Sequence, residues 1–125
     1  MKKSIVVVIL SVVLLATLVF SAQANLSGTW KGTTIINEMD EILTLILKQT
    51  DKDITGTVTD SAGYSNETEI ESVEFADSTL RFSFQIDTGS EYLTVSITLK
   101  VEGNTMTGDW ESSDGGSGPI ELKKE

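Results

Sequence analysis

Nineteen carboxylates, nine basic side chains, two tyrosines and many hydroxyls are the reactive groups of this 125-residue chain, which holds no histidine and no cysteine. That set excludes a Ser-His-Asp triad, a cysteine nucleophile, imidazole or thiolate zinc sites, and haem or iron–sulfur ligation of the usual kinds. Carboxylate pairs remain, and two of them flanking a glycosidic bond can hydrolyse it. The acids of this chain, however, fall at turns or on the solvent-facing positions of alternating segments, where no general acid is poised. Glu71 is the exception, since it shares parity with Val73 and Phe75; Ile70 competes for the same face, and a bulge there is an equal reading. Asp109-x-Glu111-x-Ser113-Asp114-Gly115 sets oxygens at alternate positions before a glycine. An EF-hand loop needs its glycine at the sixth position and a bidentate Glu at the twelfth, which here are Asp114 and Ile120. Asp51-Lys52-Asp53 reads as turn chemistry, and the acceptor patterns at Asn25-Leu26-Ser27 and Asn66-Glu67-Thr68 read as chance matches. The expectation is a protein that is not an enzyme, with no metal and no cofactor. A net charge of −10 and a pI near 4.3 leave no basic face for phosphates, so no nucleic-acid partner is expected.

The elements that must position these groups begin after a leader. Met1-Lys2-Lys3 is followed by an almost unbroken apolar run over 5–20 and by Ser21-Ala22-Gln23-Ala24, an A-x-A cleavage pattern. The run falls short of the roughly 18–20 residues that span a bilayer comfortably. The reading is a bacterial-type signal peptide over 1–24, an exported domain over 25–125, periplasmic or secreted, and no stable membrane insertion once the leader is removed. A retained anchor is the alternative. Without Lys2 and Lys3 the net charge is −12. An exported domain without cysteine has no disulfide to staple it and depends on its core.

Hydropathy along 25–125 has a period of two. Leu43, Leu45 and Leu47 alternate with polar or outward residues, as do Leu80, Phe82, Phe84 and Ile86, and Leu93, Val95, Ile97, Leu99 and Val101. The same parity points Leu26, Trp30, Ile36, Ile54, Val58, Val73, Phe75, Met106, Trp110, Ile120 and Leu122 inward. Strict alternation predicts antiparallel strands with one wet and one dry face. Breakers between the runs give eight strands near 28–37, 42–49, 54–59, 68–75, 79–86, 91–101, 105–111 and 119–124, joined by hairpin-length connections. An eight-stranded meander with one apolar face closes most economically into an up-and-down barrel, which removes its edges; a two-sheet sandwich is the alternative. A 52-residue shift lays Leu43–Lys48 over Val95–Lys100 and Ile54-Thr55-Gly56 over Met106-Thr107-Gly108. Duplication and convergence of similar hairpins both explain this echo, and either favours a symmetric barrel. Gly56 and Gly108 mark bends where a closing sheet turns.

Leu26-Ser27-Gly28-Thr29-Trp30 opens the first strand with Gly-x-Trp. This opening, ahead of an eight-strand meander, resembles that of the calycins: lipocalins, fatty-acid-binding proteins and avidins. The resemblance implies a barrel whose Trp30 plugs one end, with Lys123 or Lys124 of the last strand packed over the ring. The closest local likeness is to avidins, through Leu26–Trp30 and Ile54-Thr55-Gly56-Thr57-Val58. Their ligand-binding residues are not matched: Gly32, Thr34, Ile36 and Val58 stand at those positions, and of the later tryptophans only Trp110 has a counterpart. The likeness is one of scaffold and carries no biotin site.

Bulky residues at nearly every inward position predict a filled interior, with any cavity small and apolar. Residues Trp30, Thr34, Val58, Phe82, Phe84 and Trp110 are the candidates to line it, with Thr34 as polar handle and Gly32, Gly56 and Gly108 leaving space. The favoured function is non-catalytic binding of a small hydrophobic ligand by a monomer. The alternative uses the outside: an acidic binder or inhibitor of a cationic protein such as lysozyme, or a purely structural envelope protein. For the inhibitor the partner loop is Asp60–Glu67, with Ser61, Gly63 and Tyr64 loosely similar to the Ser-Gly…Tyr motif of exported bacterial lysozyme inhibitors, in a different order.

Overall fold

The computed structural model describes residues 25–51 and 53–125; the leader read at 1–24 lies outside the described residues. Nine strands follow one another: β1 Gly28–Ile36, β2 Met39–Thr50, β3 Asp53–Asp60, β4 Thr68–Glu69, β5 Glu71–Ala76, β6 Thr79–Asp87, β7 Tyr92–Glu102, β8 Thr105–Ser112 and β9 Ser117–Lys124. All pairings are antiparallel, in the order β4-β3-β2-β1-β9-β8-β7-β6-β5. The result is a nearly closed up-and-down barrel.

The count is nine rather than the expected eight because the segment read as one strand over 68–75 is broken. Its first part, β4, pairs with β3, and its second part, β5, pairs with β6. Ile70, between them, donates its amide to Gly56 O (3.1 Å), so the segment passes from one neighbour to the other at that residue. The break settles the competition between Ile70 and Glu71 for the inner face. Ile70, Val73 and Phe75 pack against the core, Glu71 is exposed, and the extra residue is absorbed by a bulge between Glu71 and Glu74 with Ser72 at φ 54°. Turns are tighter than the breaker clusters suggested. Asn37-Glu38 and Asp77-Ser78 are two-residue connections with positive φ at both positions, the type I′ pattern that matches the strands' right-handed twist.

Every fully buried apolar side chain occupies a position that the alternation points inward. At one end Leu26 and Trp30 are completely enclosed. Trp30 Nε1 donates to Leu26 O (3.0 Å), the Leu26 amide to Gln49 Oε1 (2.9 Å), and the Gln49 amide to Ser27 Oγ (2.8 Å), so the segment before β1 is sewn across the barrel mouth. Lys124 Nζ lies 5.5 Å from the Trp30 ring centre, a cation–π contact of about 0.5–1 kcal/mol. This end is closed, and the β2–β3, β5–β6 and β7–β8 turns surround it.

Three inward glycines set how tightly the sheet curls. A Cβ on Gly32, Gly56 or Gly108 would stand 1.8 Å from Glu121 O, 2.1 Å from Ile46 O and 1.8 Å from Thr98 O respectively. The neighbouring strand's backbone occupies the space of a side chain. The 52-residue echo is present in the pairing itself. Trp30↔Leu45 and Leu47↔Gly56 recur as Phe82↔Ile97 and Leu99↔Gly108. β1-β2-β3 and β6-β7-β8 are thus matching three-strand units, completed by the broken segment β4/β5 in one half and by the unbroken β9 in the other.

Gly108→Ala is expected to cost about 2–4 kcal/mol in urea unfolding, since a methyl there forces two strands apart. Thr107→Ala, outward on the same strand, should cost under about 1 kcal/mol. A Gly108→Ala variant as stable as the native protein would contradict this account of closure.

Candidate functional site

The end opposite Trp30 is hollow. A cavity of about 380 Å³ opens there, inside a ring formed by the β1–β2, β3–β4, β6–β7 and β8–β9 connections. This lies at the low end of the range of small-molecule sites. Its apolar wall includes Leu43, Phe84, Ile86, Leu93, Val95 and Ile97; Thr34, Asn37, Asp60, Tyr64, Ser112 and Asp114 bring polar groups to it. The filled interior expected from bulky inward residues is therefore found only in the closed half. Two neighbouring walls thin toward the open end: β1 runs Trp30, Gly32, Thr34 before Ile36, and β9 with the residue ahead of it, read from the closed end, runs Leu122, Ile120, Gly118, Gly116.

Trp110 lies along that glycine-bearing wall. A Cβ on Gly118 would sit 2.6 Å from Trp110 Nε1 and 2.4 Å from Ile35 O, so the indole can lie over β9 only because residue 118 has no side chain. Trp110 Nε1 donates to Thr34 Oγ1 (3.0 Å) and Ile35 O (3.2 Å), and Thr34 Oγ1 donates to Pro119 O (2.8 Å). Thr34, nearly fully buried, thus bridges β8, β9 and β1. It fixes the ring rather than offering a free handle: its hydroxyl proton is already spent on Pro119.

Of the residues expected to line a cavity, Thr34, Phe84 and Trp110 do so. Trp30, Val58 and Phe82 are buried in the packed core below the cavity. In the loop 61–67, Tyr64 joins the cavity wall, and its hydroxyl accepts from Asn37 Nδ2 (2.9 Å). Ser61 is turned toward β2: its Oγ donates to Glu41 Oε2 (2.5 Å) and accepts from the Ile42 amide (2.7 Å). Gly63 is exposed at φ 90° at the loop's outer bend.

The parity reading missed Asp60. It continues the inward series Ile54, Gly56, Val58 and ends β3 instead of belonging to a turn, and only 7% of it is exposed. Its carboxylate accepts from the Tyr64 amide (3.2 Å), the Ser65 amide (2.8 Å) and Ser65 Oγ (2.6 Å), organising the loop that follows. Extending the β3 alternation by one step would have found it. Across the barrel, 52 residues on, Ser112 takes the equivalent position, and the two loops share their anchoring. Ser61 N donates to Ile42 O as Ser113 N does to Thr94 O (both 2.9 Å), and Gly63 N to Asp60 O (3.2 Å) as Gly115 N to Ser112 O (3.0 Å).

Asp114 caps the second loop. Its Oδ1 accepts from Ser112 Oγ and from the Gly116 amide (3.2 Å). The Ser112 hydroxyl, helped by the Gly116 amide, holds its pKa below the ordinary aspartate value. Two carboxylates therefore meet one cavity, where the strand reading expected none to converge. Asp60 is engaged by three donors and Asp114 by two.

The described cations are confined to one half of the barrel, whereas acids lie at both ends, Asp51, Asp53, Asp77 and Glu102 among them at the closed one. Lys31, Lys48, Arg81, Lys100, Lys123 and Lys124, the described cations, all lie in the half toward Trp30. The open end carries Glu38, Glu67, Glu91 and Asp114 on its connections, Asp60 and Asp87 at the strand ends beside them and, among the described residues, no Lys or Arg.

Replacing Thr34 with Val removes a hydroxyl that both donates and accepts. A loss of about 1–2 kcal/mol in denaturant unfolding is expected, with increased quenching of Trp110 by acrylamide. An unchanged Trp110 environment would contradict its anchoring by Thr34. Because the pKa of Asp114 is depressed on folding, its contribution to the loop is full above the ordinary aspartate value and is lost as pH falls through the depressed one. An NMR titration should place its midpoint below an unperturbed aspartate, and Ser112→Ala should raise it; an unmoved midpoint in Ser112→Ala would remove the hydroxyl as cause.

Compared with family models, curated proteins and solved structures, the chain matches none.

Proposed function

We propose that this chain is an exported, non-catalytic binding protein that holds a small, mainly apolar ligand in the open half of a calycin-like barrel. One observation carries the reading: a cavity of about 380 Å³ walled by Phe84, Ile86, Leu93, Val95 and Ile97 opens at one end of a barrel whose other end is shut by Trp30. Burying apolar ligand surface against such a wall is worth roughly 25 cal/mol per Å² before the costs of association. Rigid strands, a fixed Trp110 and loops tied down by Asp60 and Asp114 reduce those costs, since little has to be ordered on binding. The same features favour the cavity over a cationic-protein partner as the primary ligand site, because Tyr64, the aromatic tip of the partner loop, is held in the cavity wall by Asn37.

N-phenyl-1-naphthylamine, a neutral probe that brightens in apolar surroundings, tests the reading. It should bind the purified protein saturably and one-to-one. Leu93→Trp, which places a larger ring at the half-buried cavity rim while leaving the closed end untouched, should weaken binding at least tenfold with an unchanged circular dichroism spectrum. No saturable binding to the native protein, or equal binding by a folded Leu93→Trp variant, would overturn it.

A further inference from the structure

The proposed ligand site has one more property: its polar rim has a single sign. A ligand with an apolar body seated against Phe84, Val95 and Ile97 shares the cavity with Asp60, Tyr64 and Asp114, which bring polar groups to its lining. The described cations lie in the other half of the barrel, so an anionic head would be desolvated with none of them within reach and with carboxylates beside it. From this segregation we infer that the cavity selects cationic amphiphiles: ligands with an alkyl or aryl body and an ammonium head, in preference to alcohols and against fatty acids. The inference rests on the reading of the cavity as a ligand site.

Three features supply the recognition. The Asp60 carboxylate is buried and already oriented by the Tyr64 amide, the Ser65 amide and the Ser65 hydroxyl. An ionised carboxylate has about four acceptor positions, so three donors leave one for an incoming N–H, and a charge-assisted hydrogen bond is about twice as strong as a neutral one. Tyr64 and Trp110 add aromatic rings to the same lining, and ring faces attract ammonium groups. Finally, Glu38, Glu67 and Glu91 on the surrounding connections and Asp87 at the end of β6 add a negative potential at the entrance, which concentrates cations there at low salt. Attraction for a cationic protein, the alternative drawn from net charge alone, uses the same field. The cavity adds an apolar socket that a folded protein surface cannot fill but an alkylammonium chain can.

Three probes with the same chain and different heads separate the possibilities: decylamine, decanol and decanoate, each competing with N-phenyl-1-naphthylamine for the full-length protein at neutral pH, below its aggregation concentration. Competition reports the cavity and ignores amine adsorbed elsewhere on the acidic surface. Decylamine should displace the dye about tenfold more tightly than decanol, and decanoate should be the weakest. Raising the salt to about 0.5 M should shrink the amine's advantage several-fold while leaving decanol unmoved. Asp114→Asn, an exposed change, should lower the amine-to-alcohol ratio about twofold to fivefold. Decanoate displacing the dye as well as decylamine, or equal affinity of decylamine and decanol at low salt, would overturn the head-group preference while leaving the cavity reading standing. Failure of the dye to bind at all overturns both.

Discussion

The structure depends on how closely the strands approach at three glycines. A sheet with one dry face has to curl until its edges meet, and the radius of the curl is limited by whatever stands between adjacent backbones. At Gly32, Gly56 and Gly108 only hydrogen does, and the carbonyls of Glu121, Ile46 and Thr98 occupy the space a Cβ would need. The barrel is therefore narrow. In a narrow barrel the size of the side chain at each level along the axis decides whether that level is solid or hollow. Trp30 and Phe82 fill theirs; Thr34, Gly116 and Gly118 do not.

This division gives the two ends different work. The closed end carries the stability: Trp30 is enclosed, its ring bonded to Leu26 and covered by Lys124, and the described cations lie toward it. The open end carries the recognition surface, an apolar cup with an acidic rim. Alternate turns of a meander fall at opposite ends, so a difference in turn composition becomes a charge gradient along the axis. The matching registers of β1-β2-β3 and β6-β7-β8 extend to the loops, where Ser61 and Ser113 make the same backbone contacts. The halves differ where it matters for chemistry: the loop anchor is a buried Asp60 in one and a half-buried Ser112 in the other, and Trp110 in the second half bonds to Thr34 of the first.

Strand placement was legible in the sequence because alternation and breakers agree nearly everywhere, and every enclosed apolar side chain lies on the inward parity. The break at Ile70 was visible only as a conflict, since Ile70 and Val73 are three apart and parity allows just one of them inside without a bulge. Asp60 was lost by ending β3 one residue early. The cavity itself was illegible for a different reason: inwardness is a property of parity, whereas hollowness is a property of axial level. Val58 and Phe82 point inward as surely as Phe84 does, but they stand at levels where the opposite wall also carries bulk. Trp110 is inward by parity; its position flat against β9 depends on Gly118, its direct partner across β8 and β9, which an alternation of apolar residues does not mark. The charge gradient needed only the assignment of turns to ends, which a committed meander already provides.

The barrel is solid below Thr34 and hollow above it. Methyl and aromatic NMR shifts of the protein titrated with decanol test that division directly. Changes should concentrate on Phe84, Ile86, Leu93, Val95 and Ile97, with Leu80, Leu99, Met106 and Leu122 unaffected. Changes confined to the outward side chains Ile35, Ile42 and Ile46, or spread evenly through the core, would contradict it.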